Sequence, residues 1–152
     1  MIRTMTAAVL CGAAVLLAGC GGGGGGGPAG KMKEAMKACD AANKDVPDTL
    51  RNAKAGKLSA HDARLEADAG VAACESALAA WEQMTDMPPQ ATEACVAEAR
   101  AKVELAVAHR VALDHQQSTP YKLRIDRATL AVEKAVDACK EAQKAKPPEA
   151  AQ

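Results

Sequence analysis

Phenylalanine is absent from this chain, which also holds a single Trp and a single Tyr. Ligand pockets usually draw their walls from aromatic side chains, so an enclosed small-molecule site has little to be built from. An excess of one charge is missing too: 19 basic residues balance 19 acidic ones. A nucleic-acid partner wants a basic face, and none is expected. No Gly-x-Ser-x-Gly, His-Glu-x-x-His or phosphate-loop pattern occurs, nor a nucleophile–base–acid set. Catalysis is therefore not expected. No Cys-x-x-Cys occurs either, which removes the redox pair, the haem attachment signal and the usual opening of a zinc site.

Large apolar residues are scarce as well, a composition that often accompanies disorder. Two features oppose that reading. Alanine, the best helix former, is abundant, with Glu, Lys, Gln and Arg beside it. The apolar residues that remain also recur at helical spacing. Met32, Met36, Cys39, Asn43, Val46, Leu50 and Ala53 alternate by four and three, which marks one face of a helix. Pro47 interrupts this helix without shifting its phase, so residues 31–55 should form a kinked helix or two collinear pieces. Gly56 should stop it.

Ser59 and Asp62 resemble a capping box, and Ala60, Ala63, Ala67, Val71, Cys74, Leu78 and Trp81 form the next seam, over residues 59–85. Met87-Pro88-Pro89 ends it. A third helix spans about 89–116. Val103 to Leu113 is apolar on nearly every side, so this should be the most buried helix. Ser118-Thr119-Pro120 reads as an N-cap followed by proline at the first helical position. Tyr121, Ile125, Ala128, Val132, Ala135, Cys139 and Ala142 then continue the alternation, over residues 120–146. Pro147 and Pro148 end that helix, and 147–152 should be a disordered tail. Nothing reads as a strand. Short turns make antiparallel neighbours, so the expected fold is all-α: an antiparallel four-helix bundle, or a pair of helical hairpins.

The N-terminus carries a different signal. Arg3 precedes an apolar run from Ala7 to Leu17. That run is shorter than the roughly 20 residues needed to span a bilayer, and it has the layout of a secretory signal peptide. Leu17-Ala18-Gly19-Cys20 resembles the lipobox of bacterial lipoprotein precursors. The resemblance implies cleavage after residue 19 and a lipid on the sulfur of Cys20, with no other cofactor. It also implies a bacterial cell-envelope location, anchored to the lipid bilayer. Gly21 lacks the aspartate that marks inner-membrane retention in some groups, so the outer membrane facing the periplasm is favoured. Residues 20–30, dominated by Gly21 to Gly27, should act as a flexible tether of about 10 residues, because glycine loses much backbone entropy on ordering.

On that resemblance Cys11 leaves with the signal and Cys20 goes to lipid. Cys39, Cys74, Cys95 and Cys139 remain, in an oxidising compartment where an even set reads as disulfides. Cys39 and Cys74 are centred on Gly56-Lys57, and Cys95 and Cys139 on Gln117. Antiparallel residues equidistant from a turn lie at one height, which favours Cys39–Cys74 with Cys95–Cys139. The rival is Cys39–Cys139 with Cys74–Cys95, since in a regular bundle the four would share one layer.

Other candidate residues are weaker. His61, His109 and His115 should fall toward the end of the bundle distant from the anchor, and are the candidate ligands of a metal or small-molecule site. His109 and His115 stand about 240° apart around their helix, which does not suit a metal pair, and solvated histidines are expected. Lys31, Lys33, Lys37, Lys140, Lys144 and Lys146 gather at the anchor end, mixed with Glu82, Asp86 and Glu93. Leu123 and Leu130 lie opposite their helix's seam, as scattered surface leucines or as a contact surface. The expected function is that of a membrane-anchored envelope lipoprotein. Its non-catalytic helical domain would contact an envelope protein or the cell wall, or have a structural role. The alternative is a small-molecule or metal-binding envelope module.

Overall fold

A computed structural model describes residues 27–115 and 118–145. Four α-helices occur among them: α1 (Pro28–Lys54), α2 (Ala60–Glu82), α3 (Pro89–Asp114) and α4 (Thr119–Lys144). The all-α, disulfide-stapled hairpin architecture expected from the sequence is present. The segments 1–19 and 147–152, Cys20, and Gly21 to Gly26 lie outside the described residues.

The helix ends follow local chemistry, with some departures from expectation. The α1 helix begins three residues early, because Pro28 takes the first helical position with Gly27 as N-cap. Proline's fixed φ suits that position and its missing N–H leaves nothing unsatisfied there. Pro28 to Gly30 therefore belong to the helix and not to the tether. The helix runs through Pro47 without interruption. Gly56 closes it at φ 69°, a left-handed conformation that glycine adopts without a Cβ penalty. The N–H groups of Lys57 and Leu58 then reach back to the Asn52 carbonyl at 2.9 and 3.3 Å.

Ser59 caps α2 by accepting the Asp62 N–H at 3.0 Å. Asp62 is too short to reach back to the Ser59 backbone as a capping-box glutamate does; instead the Ser59 hydroxyl donates to its carboxylate at 2.6 Å. Ser118 is the N-cap of α4, but its side chain makes no capping bond, and Thr119, not Pro120, is the first helical residue.

The packing departs from a closed four-helix ring. The α1 and α2 helices pair, α2 pairs with α3, and α1 also touches α3, so these three enclose a triangle. Among the described residues α4 approaches only α3; no Cα of α4 comes within 8 Å of one on α1 or α2. The α3 helix is accordingly the most buried of the four, and Cys139 is the one residue of α4 that is fully buried. Tyr121, Ile125, Ala128, Val132 and Ala135 face inward but stay half-exposed, since nothing closes over them from the α1 side.

The core is made of small side chains. Gly70 illustrates how near the helices come: a Cβ there would sit 3.4 Å from the Cβ of Ala42. The three largest fully buried side chains are cysteines, Cys39, Cys74 and Cys95. Two clusters result. One holds Cys39, Cys74, Ala77 and Ala106. The other holds Trp81, Met84, Cys95, Ala99 and Cys139, with Met32 and Met36 packed on it.

Candidate functional site

The disulfides are Cys39–Cys74, with Cα atoms 4.5 Å apart, and Cys95–Cys139, at 4.7 Å. Each lies inside one hairpin. The four cysteines do not share a layer, which corrects the expectation that kept the rival pairing in play. Along α2, Cys95 packs level with Trp81, two turns beyond Cys74, an axial offset of roughly 10 Å. Cys74 instead faces Ala106. A Cys74–Cys95 bond needs Cα atoms within about 7 Å, and the stagger of α2 on α3 denies it.

An amide sits over each bridge. Asn43 Nδ2 lies 3.6 and 3.4 Å from the sulfurs of Cys39 and Cys74, and also donates to the Lys102 carbonyl at 3.3 Å. Gln143 Nε2 lies 3.3 and 3.4 Å from the sulfurs of Cys95 and Cys139. Both amides follow a cysteine by four residues, one helical turn. The helical spacing placed Asn43 on the seam; its role beside the sulfurs needed the pairing to be known.

Beneath Asn43 lies a buried charge cluster. Lys102 Nζ contacts Glu98 Oε1 at 2.5 Å and Asp40 Oδ1 at 2.7 Å. The Lys102 and Glu98 side chains are only 8% and 10% exposed, against 57% for Asp40. Burial alone would lower the Lys102 ammonium pKa. The hydrogen bonds that Lys102 donates to Asp40 and Glu98, with the negative charges of those carboxylates, outweigh that and hold it above the ordinary lysine value. The cluster joins α1 to α3 where the other contacts are few. A glutamate four residues before a lysine, Glu98 and Lys102, is its only trace in the sequence.

The distal end holds a cleft of about 740 Å³, lined by Ala53, Lys54, Ala60, His61, Arg64, Leu113 and Asp114. It forms where the end of α1, the start of α2 and the end of α3 meet. Arg64 is ion-paired with Asp114 across the α2–α3 face. That hydrogen bond, reinforced by the guanidinium charge, holds the Asp114 carboxyl below its ordinary value and raises the pKa of Arg64. Arg110 pairs with Asp68 at 2.7 Å one turn inward. The cleft thus presents Lys54, His61 and the Arg64–Asp114 pair around small apolar residues. It can seat a small anionic group.

The three histidines do not form one site. His61 lines the cleft. His115 stacks on Tyr121, with ring centroids 4.2 Å apart and planes 3° from parallel. His109 is not solvated as expected: it is 3% exposed, on α3, the helix that packs against all three others. Its Nδ1 has no hydrogen-bond partner, and burial lowers its pKa, which favours the neutral ring. Among the described residues no group of three or more His, Cys, Asp or Glu is placed to hold a metal.

Of the lysines expected to gather at one end, Lys31, Lys33, Lys37, Lys140 and Lys144 are exposed; Lys146 lies outside the described residues. Lys144 pairs with Glu141 at 2.8 Å and Glu82 with Arg100 at 3.0 Å. No described helix is long and apolar enough to cross a membrane. Comparison with known family models, curated proteins and solved structures finds no match to this chain.

Proposed function

We propose that this chain is a lipid-anchored cell-envelope protein, held to the outer membrane through Cys20, whose helical domain acts by contact and not by catalysis. The observation that carries the reading is the Leu17-Ala18-Gly19-Cys20 motif after a short apolar run. The cysteines beyond it support the reading: all four are consumed in disulfides, as an oxidising compartment favours. The cleft at Lys54, His61 and Arg64 has no Phe, Trp or Tyr in its lining, and among the described residues the most open surface is α4, which leans on one neighbour only. Such a surface suits a protein partner in the envelope or at the wall. Mass spectrometry of the mature N-terminus tests the proposal. A chain starting at an acylated Cys20 is expected; an intact Met1, or an unmodified Cys20, refutes it.

The cleft at Lys54, His61 and Arg64 favours a second reading, an envelope module that binds a small anion. Isothermal titration with inorganic phosphate and with simple dicarboxylates tests it. Binding that Arg64→Ala abolishes supports this reading, and no heat with either ligand class rejects it.

A further inference from the structure

The outward face of α4 carries an ordered pattern. Leu123 and Leu130 stand one heptad apart on it, 52% and 56% exposed. At about 100° per residue, they lie opposite the seam of Tyr121, Ile125, Val132 and Cys139. Arg127 and Lys134 flank this row on one side, and Asp126 and Glu133 flank it on the other. All four are exposed. Among the described residues none of the four forms an ion pair within its own chain.

We propose that this ridge is a self-association surface on which a second copy of the chain packs its own α4 in parallel. Charge decides both the occupant and the direction. In a parallel pair related by a twofold axis along the helices, the basic flank of each helix meets the acidic flank of the other. Arg127 then faces Asp126 of the second copy, and Lys134 faces Glu133, on both sides of the leucines. Flanking charges of this kind set partner and orientation in helix pairs. An antiparallel pair brings basic flank to basic flank and acidic to acidic, which is repulsive. The pattern is self-complementary in one direction only.

The parallel arrangement has a second consequence. It leaves both N-termini at one end of the pair, as two chains anchored in one membrane require. Asp137 follows Leu130 by one heptad and ends the apolar row, so the contact extends only from Leu123 to Lys134. Two leucines per chain fall well short of the roughly 1,200 Å² that a stable interface buries. Occupancy therefore depends on confinement to a surface, which raises effective concentration; in that respect the inference rests on the lipid-anchored reading.

Site-specific photo-cross-linking of the full chain in bacterial membranes tests the proposal. Benzoylphenylalanine replaces Leu123, Leu130 or, as the control on α2, the equally exposed Leu65. Homodimer bands are expected from positions 123 and 130 and not from 65. A band at 130 without one at 123 overturns the register, and bands that survive reversal of one flank mean antiparallel pairing and overturn the direction. Bands from none of the three, or adducts at 130 with other proteins only, overturn self-association. With the probe at 130, reversing one flank (Arg127→Glu with Lys134→Glu) should cut the band about tenfold or more, since every flanking pair becomes repulsive. Adding Asp126→Lys with Glu133→Lys should restore it; failure of that rescue overturns the charge argument.

The anchor is tested separately. Cys20→Ala should make the band fall as expression is reduced, while the wild-type band holds. An equal response in the two refutes confinement by lipid but leaves the pairing standing.

Discussion

Lys102→Met is the sharpest test of how this thin core is held. The ammonium lies 2.5 Å from Glu98, in a position where both side chains are nearly closed to solvent. Asp40, the second partner, is more than half exposed, so its pairing is worth at most about 1 kcal/mol. The main cost of the substitution is the carboxylate of Glu98 left buried without its cation. Breaking a buried pair from one side costs roughly 3–5 kcal/mol. Some of that is relieved if Glu98 takes up a proton, which places the expectation at about 2–4 kcal/mol. Methionine keeps the helix propensity and most of the aliphatic stem, so neither offsets the loss. Urea unfolding followed by far-ultraviolet circular dichroism, with both disulfides intact, measures it.

The double variant Glu98→Leu with Lys102→Met should recover most of the stability, because an apolar pair of similar volume is often neutral or better. The sign of the pH dependence is also fixed. Folding raises the Lys102 pKa above its ordinary value of 10.5, so its contribution is complete below that value and is lost as pH rises through the folded-state value. A single-variant loss under about 1 kcal/mol, or additive effects in the double variant, would refute a buried, energetically coupled pair.

Three further outcomes are expected. Opening either bridge by paired Cys→Ala substitution should cost about 4 kcal/mol or somewhat less, since the loops span 35 and 44 residues. Thermal melts of the Cys39/Cys74 and Cys95/Cys139 variants check this, and unchanged melting temperatures would contradict it. Gly70→Ala should stabilise by about 0.5–1 kcal/mol through helix propensity, since the new methyl meets Ala42 at ordinary contact distance; a clear loss in urea midpoint would show that α1 and α2 are closer than described. His109 is held below its ordinary pKa of 6.5 by burial. The unfolded chain therefore binds its proton first, and stability should fall as pH drops below 6.5. His109→Leu should flatten that slope between pH 7 and 5 in urea titrations.

Periodicity made the helices legible. A four-three alternation needs only a backbone with 3.6 residues per turn, and Gly56, Pro89 and Ser118 bound the elements through dihedral preferences that act locally; Pro28, expected in the tether, opens α1 instead. The Cys39–Cys74 and Cys95–Cys139 pairing was favoured by distance from the turns, because hairpin geometry is local.

The charge cluster and the fate of the histidines were not legible. Glu98 and Lys102 alternate with apolar residues in a way that marks no face. Only the approach of Asp40 from α1 makes their burial tolerable. His109 looks like any residue near a helix end until the bundle packs around α3. Nor does any local pattern say that α4 will lean on α3 alone, because that depends on how α2 staggers against α3. The sequence alone determined the elements, most of their ends and the equal height of the two cysteines within each hairpin, since each follows from short-range backbone geometry. Tertiary structure alone decided that the two bridges occupy separate layers, that one helix stays open on its α1 side, and which charges are buried. These depend on the relative offset of whole helices, which is set by all their contacts at once.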